Sequence, residues 1–562
     1  MSQSVTADAE VEDVGPDFAE KIAIPRSYLL VTVLFGVVFL YYSYIPLFHS
    51  DIWGHVIYGE WILENGQLPE ADPYLDLAAG VPVACTAWLG QVIFGAAFRN
   101  GGAESVSVIF GVTNLAMWVI LTTACFLRCR SIWSAVAAAG LCWIAAWSRH
   151  AVVRPEIFGG LCFAVLLLLV TVRTQKSESS DELSSTGRAV LFHVGIGLLF
   201  VLWANLHGSY IVGIGVLGCQ LLGRTIDAGW KSRTVKGVLH DRECWRWLVT
   251  CEVAVLATMV NPYGIDLLIH TLVFPSNPNL QDVLEWFSLE MVSYEGIEIG
   301  LSWIVLAILL RFSRVSFRPA DVLMLSVFCL ATVMRVRMQN WYAPIFAVVI
   351  APHIADVYRR LVPESPPEEE RTPINACFAL FIIWVCFAIS PASTPVLGGD
   401  DRPAEKLFGS ATPLKLTEFL RTHSPGGQVL NPQWWGDWLA AFGPRDVDLF
   451  MTTNAVHVTP RRVWQDYMAL AATERRFEAT LDRYRVNTII VHKELQVPLA
   501  RRVRYLAGWK IVYEDDLGLI VMRDAVADRV KKESTADSGS VLPRAWLDTV
   551  DESETEKGMV QR

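Results

Sequence analysis

Charge is scarce along this chain. Asp, Glu, Lys and Arg make up 19% of its 562 residues, below the usual quarter, while AVILMFWYC reach 53% and mean hydropathy is +0.36. That deficit excludes an ordinary soluble enzyme. The 11 cysteines form no CxxC pair, and the nearest two, Cys125 and Cys129, sit at the end of one apolar stretch. From Pro403 to Asp524 there is no cysteine at all, which excludes disulfides and a cysteine-based zinc site from that segment. No basic stripe interleaved with aromatics occurs in a polar segment, so nucleic acid is not an expected partner. There is no P-loop. The N-terminus lacks the basic start and small-residue cleavage site of a removable leader; Lys21 and Arg26 instead precede an apolar run, read as an uncleaved anchor whose N-terminus is cytoplasmic.

What the chain does have is long uncharged runs. Leu29–Leu47 is uncharged throughout, enough at about 1.5 Å per residue to cross a hydrocarbon core of roughly 30 Å. Similar runs recur at Val106–Leu127, Ile132–Trp147, Ile157–Val172, Ala189–Ala204, Tyr210–Leu222, Trp247–Val260, Ile299–Leu310, Val322–Met334, Trp341–Ile354 and Ile374–Ile389. The expected fold is therefore an α-helical polytopic membrane protein with about eleven transmembrane helices over residues 26–392. Alternating these spans from a cytoplasmic start places Arg128, Arg130, Arg224, Lys231, Arg311, Arg314, Arg359 and Arg360 among many inner cations. The outer connections carry only Arg99, Arg149, Arg154, Arg335 and Arg337. The roughly threefold inner excess matches the positive-inside rule and puts everything after Ile389 outside the cytoplasm.

Residues 1–25 are acidic and expected to be disordered, as is the polar tail 525–562. Two outer loops are long, 48–104 and 261–298. In the first, Trp53, Val56, Ile57, Trp61 and Ile62 recur at helical spacing, which predicts a helix lying at the membrane surface. Short apolar runs alternating with helical stretches over 403–524 predict a soluble extracytoplasmic α/β domain, in which Trp434-Trp435-Gly436-Asp437 is read as core.

Polar residues gather on one side of this topology. Asp51 and His55, Arg149 to Glu156, Asn205 and His207, Glu285, and Arg335 and Arg337 all fall in outer connections. Ionisable groups at a membrane edge are costly unless paired or wet, so a one-sided set predicts a polar cavity. Ordinary snorkelling, pairing or helix capping accounts for each group singly. Taken together, guanidinium groups suit phosphate oxygens and a carboxylate suits proton abstraction or a metal ion.

His49-Ser50-Asp51-Ile52-Trp53-Gly54-His55, with Gly59, Gly66, Pro69, Asp72 and Trp88-Leu89, resembles the first outer loop of the GT-C class of polytopic glycosyltransferases. Arg154-Pro155-Glu156, Trp203 to Gly208 and Asn261-Pro262-Tyr263-Gly264 with Glu285-Trp286 are similar to bacterial membrane proteins of this kind. The resemblance covers most of residues 27–525. It implies transfer of a sugar from a polyprenyl-phosphate donor at the outer face of a bacterial inner membrane. Asp51 would be the catalytic carboxylate and the candidate ligand of a divalent cation, Mg or Mn. Arg154, Arg335, Arg337, His55, His207, Asn205 and Glu285 would bind substrate or phosphate. The chain departs from the family in lacking a clear paired acidic motif. A non-catalytic membrane scaffold and a lipid or solute transporter stay open as alternatives.

Overall fold

A computed structural model describes residues 21–48, 51–176, 185–362, 370–474 and 476–536. Residues 1–20 and 537–562, which hold most of the two segments expected to be disordered, lie outside the described residues, as do His49 and Ser50 of the first-loop pattern.

Each of the eleven apolar runs lies in a helix. Among the described residues, six helices are long and apolar enough to cross a membrane: Arg26–Tyr44, Trp88–Cys129, Glu156–Gln175, Gly187–Leu206, Tyr210–Ser232 and Val336–Leu361. The pair Pro373–Ala388 and Pro391–Leu397, bent by 83°, makes a seventh if it acts as one span. The chain is thus a multi-pass membrane protein with six or seven full-length candidates where run counting expects eleven. The rest fall short for simple reasons. Ile132–Ala145 and Pro319–Met334 have 14 and 16 residues, about 21–24 Å of helix, and Arg242–Ala257 opens on charged residues.

The two ends of the bundle differ. One is stitched by ion pairs between helices: Arg128 to Asp321 at 2.7 Å, Arg173 to Glu243 at 2.6 Å and Arg224 to Asp241 at 2.5 Å. At the other end lie the long loops and the sheet domain.

Two expectations change at the helix ends. Ile24–Pro25, placed by the sequence in a disordered stretch, pairs antiparallel with Arg371–Thr372, where two neighbouring helices begin. Asp524–Ala536, the start of the expected tail, is a helix whose Ala527 and Val530 are buried, since an i, i+3 apolar pair gives it a face to dock.

The helix Asp51–Asn65 buries its apolar face in protein. It is sandwiched, with Ile52, Trp53, Val56 and Ile57 buried. One side meets Trp88–Cys129 so closely that a Cβ on Gly59 would stand 1.9 Å from the Gln91 carbonyl oxygen. Gly102, at φ +61, kinks that long helix between its loop half and its spanning half. On the other side, Trp53 packs edge-on to Trp438 and Phe442, with ring centroids 5.7 and 4.9 Å apart.

Trp438 and Phe442 belong to the sheet domain. Its strands are β1 (Gly427–Leu430), β2 (Val447–Leu449), β3 (Thr488–His492), β4 (Trp509–Glu514) and β5 (Gly518–Arg523). They run in the order β2-β1-β3-β5-β4. β1 is parallel to β2 and β3, and β5 is antiparallel to both its neighbours. β3 is buried along its whole length and β5 up to its last residue, as continuous apolar runs covered on both faces should be. Further ties fix this domain to the membrane part: Arg402 with Glu104 at 2.6 Å, and the Leu47 amide donating to the Leu407 carbonyl at 2.7 Å.

Candidate active site

Asp51 opens the sandwiched helix, and one turn on the same face come Gly54 and His55. The carboxylate of Asp51 stands 3.4 Å from the guanidinium of Arg154. Arg154 belongs to a connection rather than a helix. It follows the one-turn element Trp147–Arg149 and precedes the helix beginning at Glu156, so Arg149, Arg154 and Glu156 share one short bend. Into that bend reaches Glu285, from the turn Leu284–Trp286 of the second long loop. Its carboxylate accepts from Arg154 at 2.5 and 3.4 Å and from Arg149 at 2.9 Å. Arg149 also lies 4.0 Å from Glu156. Arg337 lies over the Trp286 ring, 4.7 Å from its centroid, which carries a third guanidinium to the same place.

These side chains line a recess and are not sealed in a core. Asp51, Arg154 and Glu285 keep 16, 15 and 22% of their side-chain surface although protein surrounds them. Burial acts against the Glu285 carboxylate, but Arg154, Arg149 and Arg337 outweigh it and hold its pKa well below the usual carboxylate range. Arg154 is likewise disfavoured by burial yet held firmly charged by Asp51, Glu285 and Glu156. Burial pushes His207 down to about 4, with Arg337 and Arg154 adding to the effect against Glu156, so the ring is neutral at pH 7. His55 is pushed down to about 3, again by burial first, while Asp51 opposes the shift. Its Nδ1 is 3.2 Å from the Gln91 amide nitrogen. A cavity of about 90 Å³ lies beside the bend, with Arg149, His150 and Glu156 polar among Phe110, Met117 and Phe163.

The sheet domain contributes residues that no local sequence signal places here. Asp437 is buried at the face of the sandwiched helix, where a Cβ on Gly54 would stand 2.8 Å from its carboxyl carbon. It accepts from the Thr453 hydroxyl and, at 3.4 Å, from the Thr453 amide. Burial, reinforced by Asp51, raises its pKa well above the carboxylate range, which favours its protonated form. Within Trp434-Trp435-Gly436-Asp437, Trp435 is buried in the domain, Trp434 is 38% exposed, and Asp437 is buried against the sandwiched helix. Asn454 donates to the Tyr58 hydroxyl at 2.7 Å and to Asp72 at 3.1 Å. His457 stacks on Phe274 with centroids 4.4 Å apart.

Of the residues singled out by sequence, the structure brings together Asp51, Arg154, Glu285 and Arg337, with His55 and His207 in the same electrostatic neighbourhood. Two belong elsewhere. Arg335 is exposed and donates to the Met334 carbonyl at 2.9 Å. Asn205 is structural: it accepts from the Trp88 indole at 2.9 Å and donates to the Val201 and Val260 carbonyls, tying helix ends together. Arg149 was visible as part of a cluster, but no signal marked it as the second partner of Glu285.

A divalent cation of the Mg or Mn type needs about six oxygen ligands. Among the described residues, no group of three or more His, Cys, Asp or Glu side chains is placed to hold a metal ion. Beside Asp51 stands the Arg154 guanidinium at 3.4 Å, a cation that competes with a metal ion for that carboxylate.

Comparison with protein-family models finds no match. Comparison with curated proteins also finds none. Among solved structures, the apo crystal structure of the Archaeoglobus fulgidus oligosaccharyltransferase aligns with a TM-score of 0.53 at 13% identity, over 84% of this chain and 69% of that one. The arabinofuranosyltransferase AftD from Mycobacteria aligns with a TM-score of 0.50 at 16% identity, over 89% of this chain. The match spans 40% of the AftD chain, so this chain corresponds to well under half of it. These alignments show a shared fold: this chain has the architecture of those two structures.

Proposed function

We propose that this protein transfers a sugar from a polyprenyl-phosphate donor to an acceptor hydroxyl at the outer face of a bacterial cytoplasmic membrane. The single observation that carries this reading is the meeting of Asp51, Arg154, Glu285 and Arg149 in one recess, from three separated parts of the chain. Arg149, Arg154 and Arg337 would hold the donor phosphate. As the bond from the anomeric carbon to the phosphate oxygen breaks, negative charge grows on that oxygen, and fixed cations in a recess poor in water stabilise it. The acceptor oxygen forms the new bond to the anomeric carbon and gives its proton to Asp51. His55 and His207, both neutral, serve as hydrogen-bonding groups. A lipid-borne donor accounts for a site at helix ends rather than inside a soluble cleft.

The positive-inside excess supports an outer site, with the sheet domain over residues 403–524 also outside and eleven crossings in all. A transporter would carry its ionisable groups near mid-membrane in repeated halves. Here Arg149, Arg154, His207 and Glu285 all sit in connections between helices.

The test is transfer by the purified protein in liposomes, with a radiolabelled sugar on a prenyl phosphate and extracts of removal-strain envelope as acceptor. Label should move to the acceptor, and lipid-linked intermediates should accumulate in cells lacking the protein. No transfer together with no accumulation defeats the reading. Topology is checked separately. A cysteine at the exposed Glu474 should react with a membrane-impermeant maleimide in intact spheroplasts; labelling only after lysis would place the domain on the wrong side.

A further inference from the structure

Among the described residues, the charges of the recess nearly balance. Three guanidinium groups, of Arg149, Arg154 and Arg337, share it with three carboxylates, of Asp51, Glu156 and Glu285. An incoming phosphate, bearing up to two charges, would therefore meet a site already close to neutral. Glu285 stands in the way most directly. It takes hydrogen bonds from both Arg149 and Arg154, which is how a phosphoryl group would bridge the same pair.

We infer that Glu285 is an internal stand-in for the donor phosphate, and that its displacement sets how tightly, and with what charge, a ligand binds at Arg149 and Arg154. This rests on the proposed function and adds to it a residue that determines anion affinity.

Three observations support the exchange. First, Asp51 and Glu156 each open a helix, whereas Glu285 sits on a three-residue turn in a loop. Second, the turn is only half packed: Trp286 rests against Phe274 and the sheet-domain core, whereas Leu284 is 76% exposed, and Phe287, Met291 and Val292 are exposed after it. A carboxylate on such a turn can leave at small cost in packing. Third, the arginines keep donors in reserve. The Nε atoms of Arg149 and Arg154 are buried without a protein partner, as is Oε1 of Glu156. A carboxylate offers two oxygens to this set, as does the donor's phosphodiester, and the prenyl phosphate monoester left after transfer offers three, enough to reach donors that Glu285 leaves unused.

Displacement has a consequence across the protein. The loop that bears Glu285 is tied to the sheet domain by Asn277, which donates to the Val456 carbonyl at 3.0 Å, and by Asp282, which accepts from the Trp464 indole at 2.8 Å. Release of Glu285 therefore leaves the loop attached on its far side, so the carboxylate stays near enough to return when the ligand goes.

The experiment measures binding of inorganic phosphate and of geranyl phosphate to the full-length protein in nanodiscs by calorimetry, for the parent and for Glu285→Gln, Glu285→Asp, Arg149→Gln and Arg154→Gln. Removing the competing charge in Glu285→Gln should tighten phosphate binding by about tenfold, and Glu285→Asp, whose shorter carboxylate still competes, should fall between it and the parent. Ligand-free Glu285→Gln should melt below the parent, because two guanidinium groups have lost their partner, and should regain the difference as phosphate is added. A gain for geranyl phosphate alone supports the inference with a lipid-borne source; a gain for both supports it for phosphate in general. If the arginine variants lose binding while Glu285→Gln binds no tighter than the parent, the arginines hold phosphate and the inference about Glu285 is wrong. If parent and arginine variants bind neither probe, the proposed function fails and this inference falls with it.

Discussion

Asp51→Asn should lower the rate of sugar transfer by about 10²–10⁴-fold, the range over which a positioned acid–base group contributes. The substitution keeps the size and planarity of the side chain, so the helix start and its contact with Arg154 at 3.4 Å are little disturbed. What is lost is the ability to take a proton from the acceptor oxygen. Because Arg149 and Arg154 are untouched and one carboxylate beside Arg154 has lost its charge, donor KM should not rise while kcat falls. Asp51→Glu should recover part of the rate, since it restores a base at a displaced position. Asp437 next to it sharpens the expectation, because burial raises its pKa and favours its protonated form, which works against its replacing Asp51 as a base. Transfer by Asp51→Asn within threefold of the parent would remove Asp51 from the chemistry, and the divided roles of acid and arginines with it.

Much of the fold is written in periodicity. Uncharged runs mark the helices, and the apolar segments of β3 and β5 mark the central strands, because burial on both faces demands apolar residues without a break. Span number is less legible. A run of apolar residues shows that a helix is buried in something apolar, not whether lipid or other helices surround it, and Ile132–Ala145 is short enough for either. The site is legible in part. Asp51 and Arg154 could be found because a carboxylate and a guanidinium at the edges of apolar runs are costly without partners. Arg335 and Arg337 could not be told apart. They are two residues apart at a one-turn element, and only Arg337 has the Trp286 ring to lie over. Asn205 looked like a site residue because an amide at a helix end satisfies backbone groups as readily as it binds a ligand. Asp437 was out of reach. Nothing local shows that a carboxyl nearly four hundred residues from Asp51 will lie over Gly54, because domain docking depends on the shape of both surfaces.

That docking turns on glycines, and it carries the second large expectation. Gly59→Ala should destabilise the protein by about 3 kcal/mol or more, at or beyond the upper end for overpacking. The added methyl would sit 1.9 Å from the carbonyl oxygen of Gln91, and backbone, unlike a side chain, cannot rotate aside. The partner surface repeats the constraint, since a Cβ on Gly95 would come 2.7 Å from the Glu60 amide nitrogen. The two helices therefore meet glycine to backbone on both sides, and separating them would also shift Asp51 relative to Arg154. Gly140→Ala is the matched control: that glycine lies inside Ile132–Ala145 with nothing within 4 Å, so the methyl meets open space and helix propensity favours it. Gly54→Ala differs again. Its clash is with the Asp437 carboxyl, so removing that carboxyl in the double variant Gly54→Ala/Asp437→Ala should relieve it, whereas no single side-chain removal can relieve Gly59→Ala. Melting followed by tryptophan fluorescence in detergent reads all four. A Gly59→Ala protein that melts within about 2 °C of the parent would show that the two helices part freely, and the close seating of Asp51 against the bundle could then not depend on them.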